Sequence, residues 1–175
     1  MTLRTVIALA TELNWELKSL DISTAFLNAD MDTEDFMELS EGMEIRSNDH
    51  SDLKEGSVQW ALQLLKALYG LKQAGRRWSV KLHAALTDLG FVRTQLEPSC
   101  YLYEMAGFKL IVPVYVDDLT IAAATNDEIN WFVEALAKNF KLAYKDNLNF
   151  ILGMALNATV SKVLRTCRRR PTLME

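Results

Sequence analysis

The sequence has little cysteine and little histidine: two of each in 175 residues. Cys100 and Cys167 stand far apart, and no CxxC pair or Cys/His cluster occurs, which argues against a zinc site. A reducing compartment is the easier reading of so few thiols, with a single disulfide left open. No apolar run approaches the ~20 residues that a membrane-spanning helix needs. The first residues lack the charged-then-apolar order of a signal peptide. These absences together lead us to expect a soluble, intracellular chain. Also missing are the βαβ rhythm and glycine-rich turn of a dinucleotide-binding fold, internal repeats and low-complexity tracts.

What is present suits one globular domain, since 50% of the residues are hydrophobic and 24% are charged, enough to bury a core. The net charge of -4 argues mildly against nucleic acid as a partner, but the charges are segregated. Ten acidic side chains fall between Asp30 and Glu55, opposed only by Arg46 and Lys54. Between Ala61 and Thr87 there is no acid, while Lys66, Lys72, Arg76, Arg77 and Lys81 are basic. Arg165, Arg168, Arg169 and Arg170 form a third block. Such segregation can create a local positive surface on an acidic protein, or it can mark ordinary solvated faces.

Periodicity places a helix over 2–13, with Val6, Leu9, Ala10 and Leu13 on one face. Alternation over 15–20 suits a half-buried strand running into Asp21. The acidic stretch 30–56, broken by Gly42, Asn48, Asp49 and Gly56, reads as a long exposed loop holding a strand fragment near Phe36–Leu39. Trp78, Leu82, Ala85 and Leu89 define a second helix with Gly90 as its stop. Residues 101–104 and 109–115 read as strands joined at Ala106-Gly107. A further strand over 119–123 follows a link so short that a tight hairpin is expected. Thr125-x-x-Glu128 fits a capping box, opening a helix whose apolar face is Ile129, Phe132, Val133, Leu136 and Phe140. A last short strand covers 149–156. The order predicts an α+β fold, an antiparallel sheet with its helices packed on one face.

The strongest candidate for chemistry is Tyr115-Val116-Asp117-Asp118, two carboxylates at a hairpin tip. Like charges this close repel unless a cation sits between them. Asp-Asp is also a common plain turn. Asp21, at the end of its own strand, changes the balance if that strand lies beside the hairpin. Three carboxylates would then converge, an oxygen-only set that suits Mg²⁺ and the two-ion chemistry of polymerases. The expected geometry has Asp21 and Asp117 within ion-sharing reach and Asp118 turned partly away. A metal-dependent phosphohydrolase using the same acids lacks support, because no histidine ligand or further acid block accompanies them.

Here the sequence resembles a known family. Trp15-Glu16-Leu17-Lys18-Ser19-Leu20-Asp21-Ile22-Ser23-Thr24-Ala25-Phe26-Leu27-Asn28 looks like the first catalytic motif of copia-type LTR-retrotransposon reverse transcriptases. Leu65-Lys66-Ala67-Leu68-Tyr69-Gly70-Leu71-Lys72-Gln73-Ala74, followed by Arg77-Trp78, is similar to their KALYGLKQA block. Tyr115-Val116-Asp117-Asp118 matches the catalytic hairpin, and Phe150-Ile151-Leu152-Gly153-Met154 resembles the block beyond it. The four blocks stand in family order over most of the chain.

The resemblance implies a polymerase palm-like sheet and RNA-directed DNA synthesis with two Mg²⁺ ions, or Mn²⁺ in their place. It implies Asp21, Asp117 and Asp118 as catalytic metal ligands and Phe26 as the steric gate under the incoming sugar. Gln73 would touch the nucleotide, Tyr115 would face the primer end, and Lys72, Arg76 and Arg77 would contact nucleic acid. The implied partners are an RNA template, a DNA primer and dNTPs, without a membrane, and other polyprotein parts such as integrase and RNase H. The implied location is the cytoplasm, within a virus-like particle, or the nucleus. The spacing of Trp78 suggests core rather than base stacking.

The sequence also departs from the family pattern. Gly75 replaces a usual proline, and Lys145-Asp146-Asn147-Leu148-Asn149 is shorter than the usual approach to the last block. The fingers are expected to be incomplete. Residues 1–154 read as the reverse transcriptase core, palm and part of the fingers, and 155–175 as an unassigned basic tail. The competing expectation is a non-catalytic truncated or domesticated remnant that binds nucleic acid or a protein partner.

Overall fold

A computed structural model describes residues 2–39, 61–145, 150–151 and 154–155. The breakers Gly42, Asn48, Asp49 and Gly56 and the basic tail beyond Ala155 lie outside the described residues. Helix α1 (Thr2–Glu12) leads into strand β1 (Glu16–Ile22) and a single 3-10 turn (Ala25–Asn28). Strands β2 (Phe36–Glu38) and β3 (Ala61–Gln63) pair with each other apart from the main sheet. Helix α2 (Ala74–Asp88) precedes β4 (Val92–Arg93), β5 (Cys100–Met105), β6 (Phe108–Tyr115) and β7 (Asp118–Ala123). Helix α3 (Asn126–Ala137), β8 (Leu142–Lys145), β9 (Phe150–Ile151) and β10 (Met154–Ala155) follow.

Six strands form one sheet in the order β4-β5-β6-β7-β1-β8, every neighbouring pair antiparallel. The α+β expectation holds. The placement of all helices on one face does not. Side chains alternate across a strand, and β5, β6 and β7 carry apolar residues on both sides. Leu20, Ile22, Tyr101, Tyr103, Leu110, Val112, Leu119 and Ile121 join α2 and α3 in the main core. Their neighbours Leu17, Cys100, Ile111 and Ala122 face the other way and meet Val6 and Ala10 of α1. Thus α1 covers the opposite face, because a sheet apolar on both sides needs cover on both.

The helix ends follow their sequence signals. Thr125 and Glu128 form the reciprocal capping box of α3. The Glu128 carboxylate accepts from the Thr125 backbone N–H at 2.7 Å and from that of Lys109 in β6 at 3.0 Å. One buried acid therefore ties helix to strand. Helix α2 ends with Gly90 N–H donating to Thr87 and Phe91 N–H to Leu86. That is the paired pattern of a Schellman stop, with Gly90 at φ +94°.

Two details differ from expectation. The single last strand is instead two short antiparallel strands, β9 and β10. The sequence separates them by Leu152-Gly153, and a two-residue spacer containing glycine is a hairpin signal. Two edge strands were not foreseen, β4 and β8, since each is too short to show a period.

Candidate active site

The backbone register brings two of the three acids face to face. Asp21 of β1 is the direct cross-strand partner of Asp118 in β7. The next pair, Leu20 and Leu119, is fully buried in the core on the α2–α3 side. Asp21 and Asp118 therefore project from the other face. Asp118 also pairs with Tyr115 of β6, and Asp21 with Ala143 of β8. The result is one row across four strands: Tyr115, Asp118, Asp21, Ala143. Helix α1 packs on the same face but farther along, over Ala122 and Ile111. It leaves this end open, with both carboxylates half-buried and Tyr115 exposed.

Asp117 sits in the turn itself, half-buried, and its carbonyl accepts from Ile22 N–H at 2.9 Å. Asp118 is the backbone partner of Asp21, and the hairpin closes with only Val116 and Asp117 between paired Tyr115 and Asp118. Val116 takes φ +56° while Asp117 is not among the left-handed residues, the sign pattern of a type II′ turn. A β-branched residue rarely adopts that conformation. Trp78 of α2, 2% exposed, donates its indole N–H to the Val116 carbonyl at 2.7 Å. Its ring meets Phe140 edge-on at 5.3 Å.

Phe26 lies on the 3-10 turn after β1, half-buried. Its ring leans on Tyr69, with 5.7 Å between centroids and 44° between planes. Phe26, Trp78, Tyr101, Val114 and Val116 line one cavity of about 190 Å³, so the ring and the turn share a wall. Tyr69 is 91% exposed.

The basic block is largely occupied. Asp30 pairs with Lys66 and lies 3.9 Å from Lys81, and the bond to Lys66 holds its carboxyl below the ordinary value. Arg77 donates to the Asp30 carbonyl at 2.9 Å and to the Asp32 carboxylate at 2.8 Å. Gln73 donates to Asp35 at 2.6 Å. Lys72 and Arg76 are exposed, with no ion-pair or hydrogen-bond partner among the described residues.

Residues 1–168 match the family model described as reverse transcriptase (RNA-dependent DNA polymerase). The chain belongs to the reverse transcriptase family. This reverse transcriptase domain is 32% identical over 156 residues to a retrovirus-related Pol polyprotein from transposon TNT 1-94 of Nicotiana tabacum. That alignment covers 89% of the chain and 11% of the relative. It is 29% identical over 172 residues to the Pol polyprotein from transposon RE2 of Arabidopsis thaliana, covering 98% and 11%. With the RE1 polyprotein of the same plant the identity is 27% over 153 residues, covering 87% and 10%. The chain thus spans about a tenth of the length of these relatives, and the family match runs beyond Met154 into the basic tail.

In this reverse transcriptase domain the fold gathers Asp21, Asp117, Asp118 and Tyr115 at one end of the sheet, with Phe26 close behind. It holds Gln73 and Arg77 against the acidic segment and leaves Lys72 and Arg76 open. Sequence reasoning missed Tyr69 and the hydrogen bond made by Trp78. An aromatic residue set before Gly70 is the local signal for Tyr69, and its contact with Phe26 joins positions far apart in the chain. The Trp78 contact spans 38 residues and leaves no trace in local spacing.

Proposed function

We infer that this chain is the catalytic palm of an RNA-directed DNA polymerase that adds dNTPs to a DNA primer on an RNA template. The observation that carries the reading is the register: Asp21 opposite Asp118, Tyr115 beside them, and Asp117 hydrogen-bonded through its backbone to β1. Two half-buried carboxylates at adjacent strand positions are an all-oxygen donor set, which fits Mg²⁺, with Mn²⁺ as its substitute. Among the described residues no three acid, histidine or cysteine side chains group as a metal site, so on this reading water and substrate phosphate oxygens would complete the shell. Two such ions, when bound, favour ionisation of the primer hydroxyl and neutralise charge on the leaving pyrophosphate.

The protein groups supply position. Phe26 stands where a 2′-hydroxyl would have to fit and excludes it by bulk. Tyr115, at the open end of the row, faces the primer terminus. Lys72 and Arg76 meet phosphates, and Gln73 and Arg77 join them by exchanging Asp35 and Asp32 for substrate. Integrase and RNase H parts of a polyprotein, and a cytoplasmic particle or the nucleus, complete the setting of this reading.

The test has two arms. Mn²⁺ binding, followed by electron paramagnetic resonance, is expected to tighten with dNTP present and to weaken at least tenfold in Asp21→Asn and Asp117→Asn. Primer extension on an RNA template should be lost in the same variants. Undiminished Mn²⁺ binding or extension in either variant sinks the assignment.

A further inference from the structure

The turn that carries Asp117 is built from a conformation that its own residues disfavour. Val116 is β-branched at φ +56°, a position where two-residue hairpins normally place glycine. Such a residue persists only where its surroundings over-determine it. Turns of this class have an alternative, in which the central peptide flips and the second turn residue crosses to positive φ. That flip would rotate the Val116–Asp117 peptide and reset the backbone φ of Asp117, the residue that carries the carboxylate.

Two contacts oppose the flip. On one side the Asp117 carbonyl accepts from Ile22 N–H at 2.9 Å. On the other, the Val116 carbonyl, which belongs to the peptide that would flip, accepts from the Trp78 indole at 2.7 Å. A buried ring braced by Phe140 cannot follow a rotating carbonyl. Losing the bond inside the core would also strand the indole N–H without a partner, which is costly.

We propose that Trp78 is a positioning residue: its indole N–H locks the Val116–Asp117 peptide and thereby aims Asp117 at the metal-binding row. The proposal rests on the polymerase reading for its purpose, but the lock itself is a property of the turn. Trp78 is 2% exposed and acts through the turn. It couples the start of α2, where Gln73, Arg76 and Arg77 lie, to the hairpin that bears two acids.

The test replaces the donor and keeps the ring. In the full chain, Trp78→Phe is expected to shift or split the ¹³Cα and ¹³Cβ resonances of Val116, whose ψ changes in the flip, and to move those of Asp117 toward left-handed values. It should also weaken Mn²⁺ binding about three- to tenfold, the range of one neutral hydrogen bond. Leu86→Ala, fully buried on the same helix, should lower the denaturation midpoint and leave both readouts unchanged. If Trp78→Phe does not fold, benzothienylalanine at position 78 gives a ring of the same size without a donor. Unchanged Val116 resonances in the donor-less variant overturn the lock. Weaker Mn²⁺ binding in Leu86→Ala, equal to that in the donor-less variant, also overturns it, since the effect is then general destabilisation. If Asp117→Asn leaves Mn²⁺ binding intact, the polymerase reading has failed, and the Val116 resonances alone decide the lock.

Discussion

The end of the sheet and the charged segment beside it are held by different forces. At the sheet end, Asp21 and Asp118 are fixed by a ladder of backbone hydrogen bonds above the fully buried pair Leu20 and Leu119. In the segment, Asp30, Asp32 and Asp35 hold Lys66, Arg77 and Gln73 through contacts between side chains that are mostly exposed. Backbone ladders over a dry core do not exchange partners. Exposed ion pairs contribute little and can swap a carboxylate for a phosphate. On the proposed reading, the acids that must keep their geometry sit in the first region, and the groups that would greet and release substrate sit in the second.

Breaking the rigid side should cost most. Leu119→Ala empties fully buried space directly under the acid row and is expected to destabilise the fold by about 2–5 kcal/mol. Urea unfolding measures this, and Mn²⁺ affinity should fall with it. A loss below about 1 kcal/mol would mean that the sheet end is less well packed than its burial implies.

Phe26 stands at the seam between the two regions, hanging from β1 but leaning on Tyr69. Phe26→Val removes the ring and should improve ribonucleotide use relative to deoxyribonucleotide by about 10- to 100-fold, the scale on which pocket volume discriminates. Competitive primer extension reads the ratio. An unchanged ratio returns Phe26 to a packing role.

The smallest effect belongs to the adaptable side. Lys66 holds the Asp30 carboxyl below its ordinary value of 3.8. A depressed folded-state value stabilises above the unfolded value and is lost as pH falls through the folded one. The contribution of the pair should therefore be constant above pH 3.8 and fade below it. Asp30→Asn should remove that dependence, and 1 M salt should blunt it, because the pair is exposed. Stability measured against pH in both proteins checks the point. A dependence that survives Asp30→Asn assigns it to other acids.

The legibility of these regions in sequence differed for the same physical reason. The strands around Asp21 and Asp118 announce themselves by apolar runs, and Thr125-x-x-Glu128 by spacing, because those signals are local. The α2 stop was readable from Gly90. The side of the sheet that α1 covers was not, since Ala122 and Ile111 look like any strand residues until their partners are known. The pairing of Asp30 and Asp32 with Lys66 and Arg77 joins positions 36 and 45 residues apart. Read separately, one stretch looked acidic and the other basic. Folding sets them against each other and, among the described residues, leaves Lys72 and Arg76 as the cations of the 72–77 segment without an acidic partner.

The strand order has a consequence in time. Strand β1 is the first strand in the chain, yet its sheet neighbours are β7 and β8. During synthesis Asp21 is made about 100 residues before Asp118, and at roughly 5–20 residues per second the wait lasts roughly 5–20 seconds. Through that interval β1 has neither edge paired within the sheet, and its apolar side faces whatever is near. The acid-bearing end is therefore among the last parts to assemble. A ribosome that stalls before β7 would release a chain able to build helices and the β5–β6 hairpin but no acid row, with an open strand exposed to aggregation.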